Sequence, residues 1–97
     1  MEKALTYILA ALTRHAAVQK VILFGSRARG DADERSDIDI AVACPDIDKR
    51  AWLQLVDDIS EINTLLKIDL VNYTECDSAL KNNIDHEGVA LYERNTN

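Results

Sequence analysis

Apolar residues recur at helical spacing in three parts of the chain. A first helix is predicted over about residues 2–16 by Leu5, Ile8, Leu9 and Leu12. A second is predicted from about Asp48 to Leu66, with Asp48 as its N-cap, and its inner face would carry Trp52, Leu55, Val56, Ile59, Ile62 and Leu66. A short third helix is predicted over Ser78 to Asn83, capped by Asp77.

Between these helices, short runs of apolar and β-branched residues predict four strands. The first contains Val18 and residues 21–24 and stops at Gly25. In the second, Ile38, Ile40 and Val42 alternate with Asp37, Asp39 and Ala41, which is the period of a strand with one buried face. Residues 67–73 and 89–92 predict the third and fourth strands. Residues 25–36 are expected to form a loop with one helical turn beginning at Ser26, and residues 95–97 are expected to fray.

This order of elements predicts an α/β fold, a layered sheet with helices, as a single domain over residues 1–97. The pattern leaves the strand order open. With 47% hydrophobic residues, three glycines and one proline, the composition does not favour disorder.

The formal net charge of −6 argues against nucleic acid bound by a basic face and suits a basic protein partner. Cys44 and Cys76 stand apart, without a metal-binding or disulfide pattern, which favours a reduced, cytoplasmic protein. No run approaches the roughly 20 apolar residues that span a membrane. The polar residues within the first helix favour an amphipathic helix over a signal sequence.

Three Asp-x-Asp pairs occur, and only one of them alternates with apolar residues on a predicted strand, that of Asp37 and Asp39. Their side chains would share one face at a spacing of roughly 6.6 Å. Two readings are open: a solvated strand face paired with Arg27 or Arg29, or ligands for a cation. Asp69 would favour the second if its strand neighbours that of Asp39, because three carboxylates on one sheet face are typical ligands of hard divalent cations.

The Gly25-Ser26 turn has the chemistry of a phosphate-binding loop. Glycine lets the backbone approach a phosphate closely, and the following amides and the Ser26 hydroxyl can donate hydrogen bonds. Arg27 and Arg29 add forked donors suited to phosphate oxygens.

Gly-Ser, ten intervening residues and Asp-x-Asp, with Asp69 on a later strand, resemble the polymerase-β-type nucleotidyltransferase superfamily. The stretch GSRARGDADERSDIDIAV, followed by KIDLVNY and IDHEGVALYER, is similar to the minimal nucleotidyltransferase (MNT) family over nearly the whole chain. The resemblance implies a polymerase-β-like fold, with a mixed sheet flanked by helices. It also implies a metal-dependent transfer of a nucleoside monophosphate, here AMP from ATP, to an acceptor hydroxyl.

The resemblance further implies roles for individual residues. Two Mg²⁺ ions would be held by Asp37 and Asp39, with Asp69 completing one site and helping to activate the acceptor. The triphosphate would be bound by Gly25, Ser26, Arg27, Arg29 and Ser36.

Many members of the MNT family are antitoxins that silence a HEPN-domain ribonuclease toxin by adenylylating one of its tyrosines. A chain of 97 residues is expected to lack a second domain for a small acceptor, which favours a protein acceptor. Two alternatives remain: an antitoxin that neutralises its partner by binding alone, and a nucleotidyltransferase that modifies a small molecule such as an antibiotic.

Overall fold

The structure, a computed structural model, describes residues 3–33 and 35–94 of the 97-residue chain. Predictions for residue 2 and for the frayed end at 95–97 fall outside the described residues. Helices and strands follow one another as α1 (Lys3–Thr13), β1 (Lys20–Phe24), α2 (Ser26–Arg29), β2 (Ile38–Ala43), α3 (Lys49–Ser60), β3 (Ile68–Asn72), α4 (Ser78–Glu87) and β4 (Val89–Glu93). Within these ranges no helix is both long and apolar enough to cross a membrane.

The four strands form one mixed sheet in the order β3-β2-β1-β4, which confirms the predicted fold class. β1 is antiparallel to both of its neighbours, β2 and β4, whereas β2 and β3 are parallel. A parallel pair needs a long crossover connection, and α3 provides it. β3, the strand after α3, therefore lies beside β2, as the predicted site with three carboxylates on one sheet face requires.

The two sheet faces have separate apolar cores. On one face, α1 and α3 cover Ile38, Ile40 and Val42 of β2, which are fully buried. On the other, Ile84 of α4 packs in a smaller cluster with Ile22, Phe24 and Ala41. Because side chains alternate along a strand, the odd-numbered residues of β2 face the α4 side of the sheet.

Two helices differ in length from the prediction. α3 ends at Ser60 rather than near Leu66, because the chain tightens there into turns, beginning with the Ile62 N–H bond to the Ile59 carbonyl three residues earlier at 3.2 Å. The predicted inner face was therefore too long: Ile62 and Leu66 lie beyond the helix, and Val56 is 38% exposed.

α4 runs to Glu87, four residues beyond its prediction, since the buried Ile84 continues its apolar face past the polar Asn82 and Asn83.

The predicted helix starts are confirmed. Asp48 accepts the Ala51 N–H at 2.7 Å, and Asp77 accepts the Leu80 N–H at 2.8 Å. The helical turn at Ser26 is present as α2. α1 ends at Thr13 instead of residue 16, because tighter turns follow, in which His15 N–H bonds the carbonyl three residues earlier.

Candidate active site

Two carboxylates meet at one end of the sheet face that α4 partly covers. Asp39 of β2 lies directly opposite Asp69 of β3 in the parallel register. Both are half-buried, and neighbouring strands lie only about 4.8 Å apart. The sequence favoured a cation site only if the strand of Asp69 neighbours that of Asp39, and the two strands are indeed neighbours. Asp37 immediately precedes β2 and is exposed.

The carboxylate of Asp39 carries an unfavourable charge in this position. Burial raises its pKa, and the negative charges of Asp69 and Asp37, a hydrogen bond with Asp69 and the more distant charge of Glu87 raise it further. Lys67 lies 3.7 Å from Asp69, but its side chain is largely exposed and supplies little compensation. The pair therefore favours the uptake of a proton or a cation.

The Gly25 turn lies against the same carboxylate. Phe24, the last residue of β1, pairs with Asp39, so the chain reaches Gly25 beside that side chain. Gly25 has φ 75° and ψ −157°, a conformation that is essentially restricted to glycine. A Cβ at this position would clash with the Asp39 Oδ2 and lie 3.1 Å from its Cγ. Glycine is thus required both by the backbone and by the close approach of the turn to the carboxylate.

Other residues predicted to contact phosphate brace the loop that joins β1 to β2. Arg27 donates to the Ser36 carbonyl from Nε at 3.1 Å and from Nη2 at 2.8 Å. The Ser36 hydroxyl accepts the Asp33 N–H at 3.1 Å. These bonds hold Ser36, two residues before β2, close to α2.

Arg29 is held by two ion pairs. Its Nη1 lies 3.0 Å from a Glu87 oxygen and its Nε 3.2 Å from Asp31. The hydrogen bonds to these two carboxylates raise the pKa of the guanidinium, so it stays charged. Two of its five N–H donors are used in this way, which leaves donors for a further anion.

Glu87 is a site residue that the sequence interpretation missed. At the last position of α4, it accepts the Gly25 N–H through Oε1 at 3.1 Å and pairs with Arg29 through Oε2. It lies 62 residues from Gly25 in the chain, so only the fold brings the two together. The one available signal was its place before Gly88 in the IDHEGVALYER segment.

The carboxylates match a hard divalent cation in donor chemistry, since such ions take oxygen ligands and neutralise closely spaced negative charges. In residues 3–33 and 35–94, however, no group of three or more His, Cys, Asp or Glu side chains is already arranged to hold a metal. Asp39 and Asp69 form the adjacent pair. The exposed Asp37 would join them by turning its side chain toward the pair.

Comparisons with known proteins agree with this geometry. A curated relative, protein adenylyltransferase MntA from Aphanizomenon flos-aquae (strain 2012/KM1/D3), is 29% identical over 88% of this chain, which spans 63% of that relative's length. A toxin–antitoxin structure with AMP-PNP superposes with a TM-score of 0.72 at 26% identity, covering 96% of this chain and 73% of that one.

A second structure contains a tri-AMPylated Shewanella oneidensis HEPN toxin in complex with an MNT antitoxin. It matches with a TM-score of 0.70 at 25% identity, covering 94% of this chain and 71% of that one. The family model described as polymerase beta, nucleotidyltransferase matches residues 7–97, nearly the whole sequence. The chain therefore belongs to the polymerase-β nucleotidyltransferase family.

Proposed function

We propose that this chain is an Mg²⁺-dependent antitoxin that acts in the cytoplasm and transfers AMP from ATP to a tyrosine hydroxyl of a HEPN ribonuclease toxin. The observation that carries the proposal is the Asp39–Asp69 pair beside the Gly25 turn, in a chain of the polymerase-β family. Similarity to an adenylyltransferase and to a complex with an AMPylated toxin supports AMP as the group and a protein as the acceptor.

The proposed reaction exchanges one phosphorus–oxygen bond for another and moves one proton. The acceptor hydroxyl oxygen attacks the α-phosphorus of ATP, the bond to the β-phosphate oxygen breaks, and pyrophosphate leaves. The hydroxyl proton passes to the carboxylate of Asp69. This role suits Asp69 by position, because it is half-buried and lies directly opposite Asp39 in the parallel register.

Asp37, Asp39 and Asp69 would hold two Mg²⁺ ions, which when bound stabilise negative charge on the transferred phosphoryl group. The raised pKa of Asp39 is the physical support, because burial and the negative charges of Asp69 and Asp37 raise it, and a cation would stabilise the charged carboxylate against both. Gly25 and Ser26 would bind the triphosphate, with the remaining donors of Arg29 on an outer oxygen. Arg27 and Ser36 would act by bracing the loop.

The direct test is incubation of the purified chain with its cognate toxin, ATP and Mg²⁺, followed by mass spectrometry of the toxin. We expect the mass of one AMP for each modified hydroxyl, with equimolar release of pyrophosphate. Chelation of Mg²⁺ should stop the transfer, and added Mg²⁺ should restore it. A toxin that stays unmodified with the intact chain would overturn the proposal.

Asp39→Asn tests the site itself, with Asp46→Asn as the matched control. Asp46 belongs to another Asp-x-Asp pair and lies exposed in a turn, away from the sheet face that carries Asp39. We expect Asp39→Asn to lower kcat by at least about a hundredfold, a usual cost of removing a group that acts on the reacting atoms. Asp46→Asn should leave transfer unchanged.

Neutralisation by binding alone is the second candidate, and exposed apolar side chains favour it. Leu65 is fully exposed and Leu53 is 56% exposed, which suits contact with a partner. Protection of cells by Asp39→Asn would support masking. Loss of protection while the complex still forms would support catalysis.

A further inference from the structure

We infer that Glu87 is a positioning residue of the nucleotide site, which holds the Gly25 turn and Arg29 in the arrangement that receives the triphosphate. The inference rests on the proposed function, because it assigns a task to a residue beside that site. Glu87 is not itself assigned a contact with ATP. Its effect would pass through the two groups that it binds.

The two oxygens of Glu87 bind two different parts of the turn. Oε1 accepts the Gly25 N–H at 3.1 Å and Oε2 accepts Arg29 Nη1 at 3.0 Å. One carboxylate therefore fixes the peptide plane at the start of the turn and a cation at the end of α2. About a quarter of the Glu87 side chain is exposed, so water competes only partly for these bonds.

The backbone of Glu87 is anchored from both directions. Before it, Ile84 is buried on the sheet and packs α4 against β1 and β2. After it, Gly88 N–H bonds the Ile84 carbonyl at 2.8 Å, and β4 begins immediately. A Cβ on Gly88 would clash with that carbonyl and with the Ile22 side chain of β1, so the helix end lies close against the sheet.

The strand that follows brings this anchor to the turn. Val89 pairs with Leu23 of β1, and Leu23 lies two residues before Gly25. The carboxylate thus reaches Gly25 from a rigid neighbour rather than from a mobile loop. This matters because Gly25 occupies a conformation that an unrestrained glycine would leave for many others.

Loss of the carboxylate should therefore weaken nucleotide binding more than chemistry. Without Glu87, the Gly25 peptide can rotate and Arg29 keeps, among the described residues, Asp31 as its ion-pair partner. Binding of ATP must then order the Gly25 turn and Arg29, which Glu87 holds in place in the wild type. The free-energy cost of that ordering raises the Kd for ATP. Once ATP is bound, the carboxylates that carry the reaction are unchanged.

The test is isothermal titration of ATP with Mg²⁺ into wild type, Glu87→Ala, Glu87→Gln and a control, Asp85→Ala. Asp85 lies on the same helix and accepts a 2.7 Å bond from the Tyr73 hydroxyl, so its removal also costs one carboxylate bond. We expect Glu87→Ala to raise the Kd roughly tenfold, as for the loss of a partly exposed charge-assisted bond. With toxin and saturating ATP, its kcat should stay within about twofold of wild type.

Glu87→Gln keeps an oxygen for the Gly25 N–H and the same shape, but its NH2 group cannot accept from Arg29, so it should recover only part of the affinity. Amide hydrogen exchange of the nucleotide-free chain gives a second readout. The Gly25 N–H should lose protection in Glu87→Ala and keep it in Glu87→Gln and Asp85→Ala.

Each outcome bears on the inference. An unchanged or lower Kd in Glu87→Ala, or an equal rise in Asp85→Ala, overturns it, and a lower Kd would mean that Glu87 repels the triphosphate. If wild type binds ATP but transfers no AMP, the proposed function fails while the affinity comparison still decides the role of Glu87. A wild type that binds no ATP overturns both.

Discussion

Gly25→Ala should destabilise the protein far more than the same change at Gly30. Both glycines have positive φ, 75° at Gly25 and 85° at Gly30, so both substitutions place a Cβ in an unfavourable backbone conformation. They differ in what the Cβ meets. At Gly25 it clashes with the Asp39 carboxylate, whereas at Gly30 no atom of the described residues, the chain neighbours aside, lies within 4 Å.

The magnitude follows from the two backbones. Gly25, with ψ −157°, lies in a region where a residue with a Cβ costs about 1–3 kcal/mol. Displacing the Asp39 side chain from its rotamer adds about 0.5–1.5 kcal/mol, and the stiffer unfolded chain returns about 0.4–1 kcal/mol. We therefore expect Gly25→Ala to lower the free energy of unfolding by about 2–3 kcal/mol. Gly30, in the milder left-handed region, should lose about 1 kcal/mol or less.

Urea unfolding followed by circular dichroism measures both values, and thermal unfolding provides a check. For a domain of this length, each kcal/mol shifts the Tm by about 4–8 °C, so the two variants should be clearly separated. Asp39→Ala removes the group that the new Cβ meets, and it should recover about 1 kcal/mol in the Gly25→Ala background. Equal losses at the two glycines, or strictly additive effects of Gly25→Ala and Asp39→Ala, would refute the reasoning.

Three further substitutions or modifications test other parts of the structure. Asp39→Asn should raise the free energy of unfolding at pH 7, measured in urea, by on the order of 1 kcal/mol or less at this half-exposed position. Because the folded-state pKa of Asp39 is raised, that gain should vanish once the pH falls below the ordinary value of 3.8; no gain at pH 7 would contradict it. Buried Cys44, with its pKa raised to about 11, should resist iodoacetamide at pH 8 while Cys76 reacts, as read by mass spectrometry. Asp48→Ala should cost about 1 kcal/mol in urea unfolding through its lost helix cap, and exposed Asp46→Ala should cost little.

Local pattern was enough to predict most of the secondary structure. The alternation of apolar and polar residues around Asp39 predicts β2 correctly. The prediction is right because the apolar residues of this alternation, Ile38, Ile40 and Val42, are all fully buried. Both predicted caps are present because an Asp at a helix start bonds a backbone N–H three residues on, within its own segment. Where local pattern conflicts with tertiary packing, the prediction is wrong: apolar residues after Ser60 continue the helical spacing but lie in turns.

Sequence alone predicts only the part of the candidate site whose residues lie near one another in the chain. The Gly25 turn and Asp39 lie fourteen positions apart, and a single β-hairpin brings them together. Asp69 depended on strand order, which sequence periodicity does not encode. Glu87 could not be predicted for a similar reason. A charged residue at a helix end is common, and only the pairing of β4 with β1 brings this one to the Gly25 turn.

The energy that holds the repelling carboxylates together comes from the opposite face of the same strand. Asp39 and Asp69 on neighbouring strands repel by roughly 3–4 kcal/mol at an effective dielectric near 20. Each fully buried Ile or Val on the other face of β2 contributes about 1.5–3 kcal/mol by burial. Ile38 and Ile40, which flank Asp39, are sufficient to offset the repulsion. The alternating pattern that identifies the strand is therefore also the physical reason why a fold of this size can keep its carboxylates adjacent.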